Sequence, residues 1–309
     1  MNSVTANSTP VDLTQIRLVL MDIDGTLLSC SEVELDNVKH QLSRLKQHGV
    51  RFSIATGRTL FGARSVVRKL SGKNPDPLII AYNGGVIAFT DATPWITRHT
   101  IDKNTYVNLI RACREFKAVP LVYCCKYESG KKEASEIVFT DDLVTAGNGK
   151  EFNGMPVNLI KSLDDIPTAD AVAVLVTDSR GSAFVNQLAL RVKQEFGASL
   201  RVTTSGGRYL EIAHPEATKR NAMEQLCVRY GIKVNAVMAI GDNFNDLEML
   251  AAAGYGVAVA NSPNEVKAVC RYVCRQEAAR GVVESLIPVA TAFNHSAVRQ
   301  RSEKTRIKG

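Results

Sequence analysis

The sequence predicts an α/β protein, a Rossmann-like parallel sheet interrupted by an α+β insertion. Three observations carry this. Short apolar runs alternate with helix-period segments through residues 16–86, the same alternation returns near the end of the chain, and the stretch between has a different texture. Residues 16–21 are apolar, include β-branched side chains, and stop at an acidic turn, as a buried parallel strand does. Leu35, Val38, Leu42 and Leu45 then recur at helical spacing, and Gly49 closes the helix. A strand at 51–55, a helix through Val66 and Leu70, and a strand at 77–82 complete two βαβ units, which place ligands at the carboxyl ends of their strands. From about 86 to 204 there are strand pieces at 121–124, 136–140 and 171–176, two helices, and loops rich in Gly, Lys and Asn. The opening grammar resumes with a strand at 209–213, a helix at 217–230 and strands at 234–240 and 255–260. No internal repeat is visible.

The 309 residues exceed the roughly 100–200 of one typical domain, so two domains are expected. The boundaries read as a disordered lead-in at 1–15, a discontinuous core at 16–86 and 205–292, an inserted domain at 87–204, and a basic tail at 293–309. With 45% apolar and 22% charged residues the composition is that of a soluble globular protein, and no apolar stretch reaches the ~20 residues that span a bilayer. The first ten residues carry no charge and no apolar run, so they are not a secretory signal. Seven cysteines, with no C-x-x-C pair, read as buried free thiols in a reducing cytosol, not as a zinc site or disulfide framework. The net charge of +7 raises the question of nucleic acid. Five of the last eleven residues are basic and one is acidic, so much of the charge sits in an end that reads as solvated and disordered, with weak contact to RNA or acidic surfaces the lesser alternative. The remaining body is only mildly basic, which suits a small anionic substrate no worse than anything else.

Four segments carry chemistry. In the first, Asp22 and Asp24 sit two apart where the opening strand ends, so in extended chain they point to one side. Carboxylates that close repel unless they share a proton or a cation, yet an acidic junction that caps a helix has the same spacing. In the second, Thr56-Gly57-Arg58 ends the next strand, where a hydroxyl and backbone N–H groups meet a phosphate, although Thr-Gly is also a common cap and turn. In the third, Thr218 is an N-cap candidate and Lys219 falls in the first helical turn, where the macrodipole disfavours a cation unless something anionic is near. An exposed lysine is the plain alternative. In the fourth, Gly241-Asp242-Asn243-Phe244-Asn245-Asp246 again ends a buried strand in carboxylates. Helix capping accounts for one acid there and not both, whereas Mg²⁺ takes such hard oxygen ligands.

Taken together, D-x-D-G-T-L, T-G-R, a helix-borne Lys and G-D-x-x-N-D, in this order, resemble the haloacid dehalogenase (HAD) superfamily, and most closely its Cof-type subfamily IIB. Tyr82-Asn83-Gly84-Gly85, Gly256-Val-Ala-Val-Ala-Asn261-Ser and Glu265-Val-Lys support the match, which spans residues 16–290. The resemblance implies a HAD core with an α+β cap domain of C2 type after the third strand. It implies that Asp22 attacks phosphorus to give an aspartyl-phosphate, and that Asp24 protonates the leaving oxygen and then activates water. It places Mg²⁺ on Asp22, the backbone carbonyl of Asp24 and Asp242, with Asp246 ligating the metal or orienting its waters. Lys219 then helps neutralise the repulsion between carboxylate and phosphate. Thr56 and Gly57 bind the transferred phosphoryl group, and Arg58, Asn83, Gly84 and Asn245 line the phosphate or substrate side.

The implied activity is a cytoplasmic Mg²⁺-dependent phosphatase of small phosphorylated metabolites, sugar phosphates first, because the long insertion between Thr56 and Lys219 roofs the cleft. A phosphosugar mutase of related architecture and a regulatory protein on a HAD scaffold are the alternatives. The implied partners are a small phosphorylated metabolite, no membrane, and no nucleic acid beyond the tail. Glu216, Ala217 and Arg220 depart from the glycines that commonly flank the family's lysine, His214-Pro215 shifts the proline, and Ala279-Arg280-Gly281-Val282-Val283 replaces a late D-G-V-A. These departures bear on the substrate side. Asp141, Asp142 and Lys150 read equally well as solvated loop residues, and Trp95 as packing.

Overall fold

The computed structural model describes residues 12–28, 32–71, 78–89, 97–126, 135–142, 155, 157–166, 171–205 and 209–306. Cys30, Trp95, Lys150 and most of the 1–15 lead-in lie outside the described residues. The chain divides into two units, Met1–Thr56 with Ser65–Ile79 and Lys219–Gly309, and Gly57–Arg64 with Ile80–Thr218.

The first unit is built on a sheet whose strands are β1 (Leu18–Met21), β2 (Arg51–Ala55), β3 (Leu78–Ala81), β12 (Val237–Gly241), β13 (Tyr255–Ala258) and β14 (Tyr272–Val273), in the order β14-β13-β12-β1-β2-β3. The pairs β1–β2, β1–β12, β12–β13 and β13–β14 are parallel. Strands β1 and β12 are fully buried along their length, as continuous apolar runs require when helices cover both faces. Helices α1 (Glu32–Lys46) and α2 (Leu60–Ser71) follow the first two strands. The order reverses between β1 and β12. Connections from β1 lead one way to β2 and β3 while β12 to β14 lie on its other side, so β1 and β12 flank the crevice where such sheets bind ligands. Their register, Met21 beside Ile240, ends both strands at the same level, and the Asp22 N–H donates to the Ile240 carbonyl at 2.9 Å.

The second unit has a six-stranded sheet in the order β10-β11-β9-β6-β7-β8, from β6 (Pro120–Lys126), β7 (Ser135–Thr140), β8 (Val157–Leu159), β9 (Ala171–Thr177), β10 (Arg201–Ser205) and β11 (Tyr209–Ala213). It is antiparallel except at β7–β8. A short antiparallel pair, β4 (Val86–Phe89) with β5 (Thr97–Arg98), precedes it. Helices α3 (Lys103–Glu115) and α4 (Ser182–Phe196) share one apolar core with the sheet, formed by Tyr106, Leu109, Ile110, Val174, Val185, Leu188, Leu210 and Ile212 among others.

The C-terminal portion holds α5 (Lys219–Tyr230), α6 (Leu247–Ala252), α7 (Asn264–Val269) and α8 (Ala278–Arg306). Helix α8 corrects one expectation: most of the basic tail is helical. After Pro288 the segment contains no Gly or Pro before Gly309, and Ala, Gln, Arg, Glu and Lys all propagate a helix already begun on an apolar face. Six cysteines, Cys113, Cys124, Cys125, Cys227, Cys270 and Cys274, are free and buried. Among the described residues no helix is long and apolar enough to cross a membrane.

Candidate active site

The carboxyl ends of β1 and β12 bring Asp22 and Asp242 side by side, because each acid directly follows a strand that ends at the same level. The turn after Asp242 returns Asp246 to the head of α6. Its side chain makes no cap to that helix. One oxygen accepts the N–H groups of Asp242 and Asn243 at 3.1 Å each, which folds the turn tightly around the carboxylate. Gly241 is required here, since a Cβ would strike the Asp246 carboxylate. The other oxygen of Asp246 meets Lys219.

Lys219 opens α5, and its Nζ donates to Asp22 Oδ1 and Asp246 Oδ1, both at 2.6 Å, with the lysine side chain wholly buried. A cation in the first turn of a helix is unfavourable, and the two carboxylates supply the anionic neighbours that offset it. Asp242 Oδ1 accepts the Thr26 hydroxyl at 2.9 Å. Gly25, at φ +82°, lies so close to Asp242 that any side chain there would enter its carboxylate. Its carbonyl accepts the Asn261 amide at 3.0 Å, and the Asn261 oxygen accepts the Ala278 N–H at the start of α8.

The electrostatics are set by burial. Loss of water pushes the Asp22 carboxyl up to about 8, against the pull of the Lys219 ammonium, and the Asp246 and Asp242 charges add to the rise. Burial and then Asp246 push Asp242 up to about 6. Burial alone would depress Lys219, but Asp22 and Asp246 outweigh it and hold the ammonium above its ordinary range. One ammonium thus faces three buried carboxylates, Asp22, Asp242 and Asp246, which each offer an oxygen within 4.8 Å of the others. With all three carboxylates ionised the cluster is two positive charges short, and the raised Asp22 and Asp242 carboxyls register that deficit. A hard divalent cation that takes carboxylate oxygens and water fits that donor set and that deficit.

The structure therefore gathers Asp22, Lys219, Asp242 and Asp246. Asp24 is exposed, and its backbone bridges to Leu28 within the turn. Thr56 is buried at the end of β2. In the second unit Gly57 packs against Asn83, Arg58 accepts the Tyr82 N–H through its carbonyl at 3.0 Å, and Gly84 packs against the Thr218 backbone. Asn245 is half-buried in the turn between Asp242 and Asp246. Sequence reasoning gave no role to Thr26 or Asn261, although both stand inside the motifs that carried the resemblance, and it missed Glu211, which accepts the Asn83 amide.

The sequence model of the haloacid dehalogenase-like hydrolases matches residues 19–286. The chain belongs to that family. Among curated relatives, 5-amino-6-(5-phospho-D-ribitylamino)uracil phosphatase YwtE of Bacillus subtilis (strain 168) is 27% identical over 284 residues, 86% of this chain and 96% of its own. Among solved structures, a haloacid dehalogenase-like hydrolase from Bacteroides thetaiotaomicron superposes with a TM-score of 0.73 at 23% identity, over 89% of this chain and 99% of that one. The HAD subclass IIB sugar phosphatase BT4131 superposes with a TM-score of 0.64 at 19% identity, over 91% and 99%. The enzyme class of this family member is that of a phosphoric monoester hydrolase.

Proposed function

We propose that the protein is a Mg²⁺-dependent phosphatase of small phosphorylated metabolites, sugar or sugar-alcohol phosphates first, acting through an aspartyl-phosphate on Asp22. The observation that carries this is the buried cluster in which Lys219 bridges Asp22 and Asp246 beside Asp242. Asp22, Asp242 and the Asp24 carbonyl would hold the metal, which supplies positive charge against the phosphoryl oxygens. Asp22, on the end of a buried strand, is the nucleophile. Its position is fixed by the Ile240 carbonyl behind its N–H and by Lys219 at one oxygen, which leaves the carboxylate little freedom to turn away. Lys219 keeps its proton throughout and neutralises charge that gathers as carboxylate and phosphate approach. Asp24 would exchange a proton with the leaving oxygen and then with water, a role that its exposed side chain supports. Thr56 and the Gly57 N–H would take the transferred phosphoryl group, with Arg58, Asn83, Gly84 and Asn245 on the substrate side. Residues 87–204 would serve as the cap that keeps large substrates out.

The substrate class is supported by names borne by others. YwtE is named for a phosphoribitylamino uracil and BT4131 for sugar phosphates. A panel of sugar, sugar-alcohol, nucleotide and cofactor phosphates, assayed for released phosphate with Mg²⁺, tests it. Sugar or sugar-alcohol phosphates should be turned over best, and preference for nucleotides or for protein-bound phosphate would overturn the substrate class while leaving the chemistry standing.

A further inference from the structure

The turn after β3 has an unusual backbone. Tyr82 (φ 50°) and Asn83 (φ 53°) are consecutive non-glycine residues in the left-handed region, followed by Gly84 at φ +106°. Such residues are strained and persist only where their surroundings over-determine them. Three contacts within the second unit do so here. The Tyr82 N–H donates to the Arg58 carbonyl at 3.0 Å, the Tyr82 hydroxyl donates to Glu136 at 2.7 Å, and the Asn83 Nδ2 donates to both carboxylate oxygens of Glu211 at 3.0 Å.

The last of these orients a group. Ionised carboxylates accept and never donate, so Glu211 forces the nitrogen of the Asn83 amide toward itself and the oxygen away, and the flipped amide would set oxygen against oxygen. The amide is only 8% exposed and lies over Gly57, where a Cβ would come within 3.1 Å of its nitrogen and 3.3 Å of its oxygen. Glu211 is itself held firmly. It sits in the middle of β11, laddered to Thr203 on β10 and to Leu175 on β9, while its neighbours Leu210 and Ile212 enter the apolar core on the other face. A charged side chain on the central part of a sheet contributes nothing to that core. Its carboxylate holds the amide that lies against Gly57, the residue after Thr56.

We propose that Glu211 is a positioning residue: by gripping the Asn83 amide it sets the Gly57-Arg58 backbone in the conformation that receives the phosphoryl group. This rests on the phosphatase reading above. Glu211 acts through Asn83 and touches no reacting atom.

The experiment is a double-mutant cycle on the full-length enzyme with Mg²⁺ and a phosphomonoester substrate, reading kcat, KM, the inhibition constant of inorganic phosphate, and the melting temperature. Glu211→Met removes the acceptor at similar length and should lower kcat/KM and weaken phosphate inhibition by about tenfold or more, as misplacement of a binding group does. Glu211→Gln keeps an acceptor oxygen and should stay within about threefold of wild type. In an Asn83→Ala background Glu211→Met should have no further effect on either constant, because the group it acts through is gone. Losses that add in the double variant overturn the proposal, as does a Glu211→Met enzyme that melts lower with unchanged kcat/KM and phosphate inhibition. A wild-type enzyme that releases no phosphate from any ester overturns the phosphatase reading itself, which these other outcomes leave standing.

Discussion

Replacing Lys219 by Met tests the charge balance of the cluster directly. The substitution keeps an apolar stem of similar length at the head of α5 and removes the ammonium that meets Asp22 and Asp246 at 2.6 Å. Those carboxylates are 5% and 0% exposed at their side chains, so water cannot replace the lost partner. The folded variant relieves itself by binding one further proton. At about pH 7, roughly three units above the ordinary carboxyl value of 3.8, holding that proton costs about 4 kcal/mol at 1.36 kcal/mol per unit. Near pH 4 the same proton costs less than about 1 kcal/mol. The sign follows: the folded variant binds more protons than its unfolded chain between these values, so its stability falls as pH rises. In EDTA, urea unfolding should show Lys219→Met less stable than wild type by up to about 4 kcal/mol near pH 7 and by under about 1 near pH 4. A loss that is equal at both values, or larger in acid, would mean that Lys219 is a packing residue and that the account of the cluster is wrong.

Other outcomes follow from the same geometry. Magnesium should raise the melting temperature of wild type, by about 2.7 kcal/mol in stability at a hundredfold excess over Kd, and Asp242→Asn should lose most of that gain; equal gains in both proteins would remove Asp242 from the metal. Gly25→Ala puts a methyl group into the Asp242 carboxylate at a φ of +82°, so it should lower stability by several kcal/mol, of the order of 3, and abolish the magnesium effect; unaltered magnesium binding would refute the close approach. Burial raises the Glu136 carboxyl, against the hydrogen bonds from Tyr82, Phe61 and Leu60. The folded state therefore keeps that proton longer, and the contribution of Glu136 to stability declines as pH rises above the ordinary 4.5. Glu136→Gln should flatten that decline in urea midpoints taken across the range, and parallel curves for the two proteins would contradict it.

How much of this could be read in the chain depends on the kind of signal. Strands β1, β2, β11 and β12 were legible because each is a short apolar run bounded by turn residues, and α1 because Leu35, Val38, Leu42 and Leu45 mark one face. The coming together of Asp22, Lys219, Asp242 and Asp246 was implied by family resemblance; spacing alone left each with an ordinary explanation. What joins them is the parallel register of β1 with β12, a pairing between residues more than 200 apart that no local pattern encodes. The helical course of residues 293–306 was missed because it lacks apolar periodicity, and a helix already nucleated on an apolar face continues through good helix formers without it. Strands β8 and β14, with three and two residues, are too short for a period to show. Glu211 was invisible for another reason: in Tyr209-Leu-Glu-Ile-Ala213 it reads as the polar member of an alternating strand, and its bond to Asn83 joins residues 128 apart that no local pattern encodes.

The measurement that bears most directly on the central claim is the rate of phosphate release from the best ester of the panel, for wild type with Mg²⁺, wild type in EDTA, and Asp22→Asn with Mg²⁺. The account predicts release that requires the metal and is absent from a folded Asp22→Asn protein. Release that persists in EDTA, or an Asp22→Asn rate above about a tenth of wild type, would contradict it.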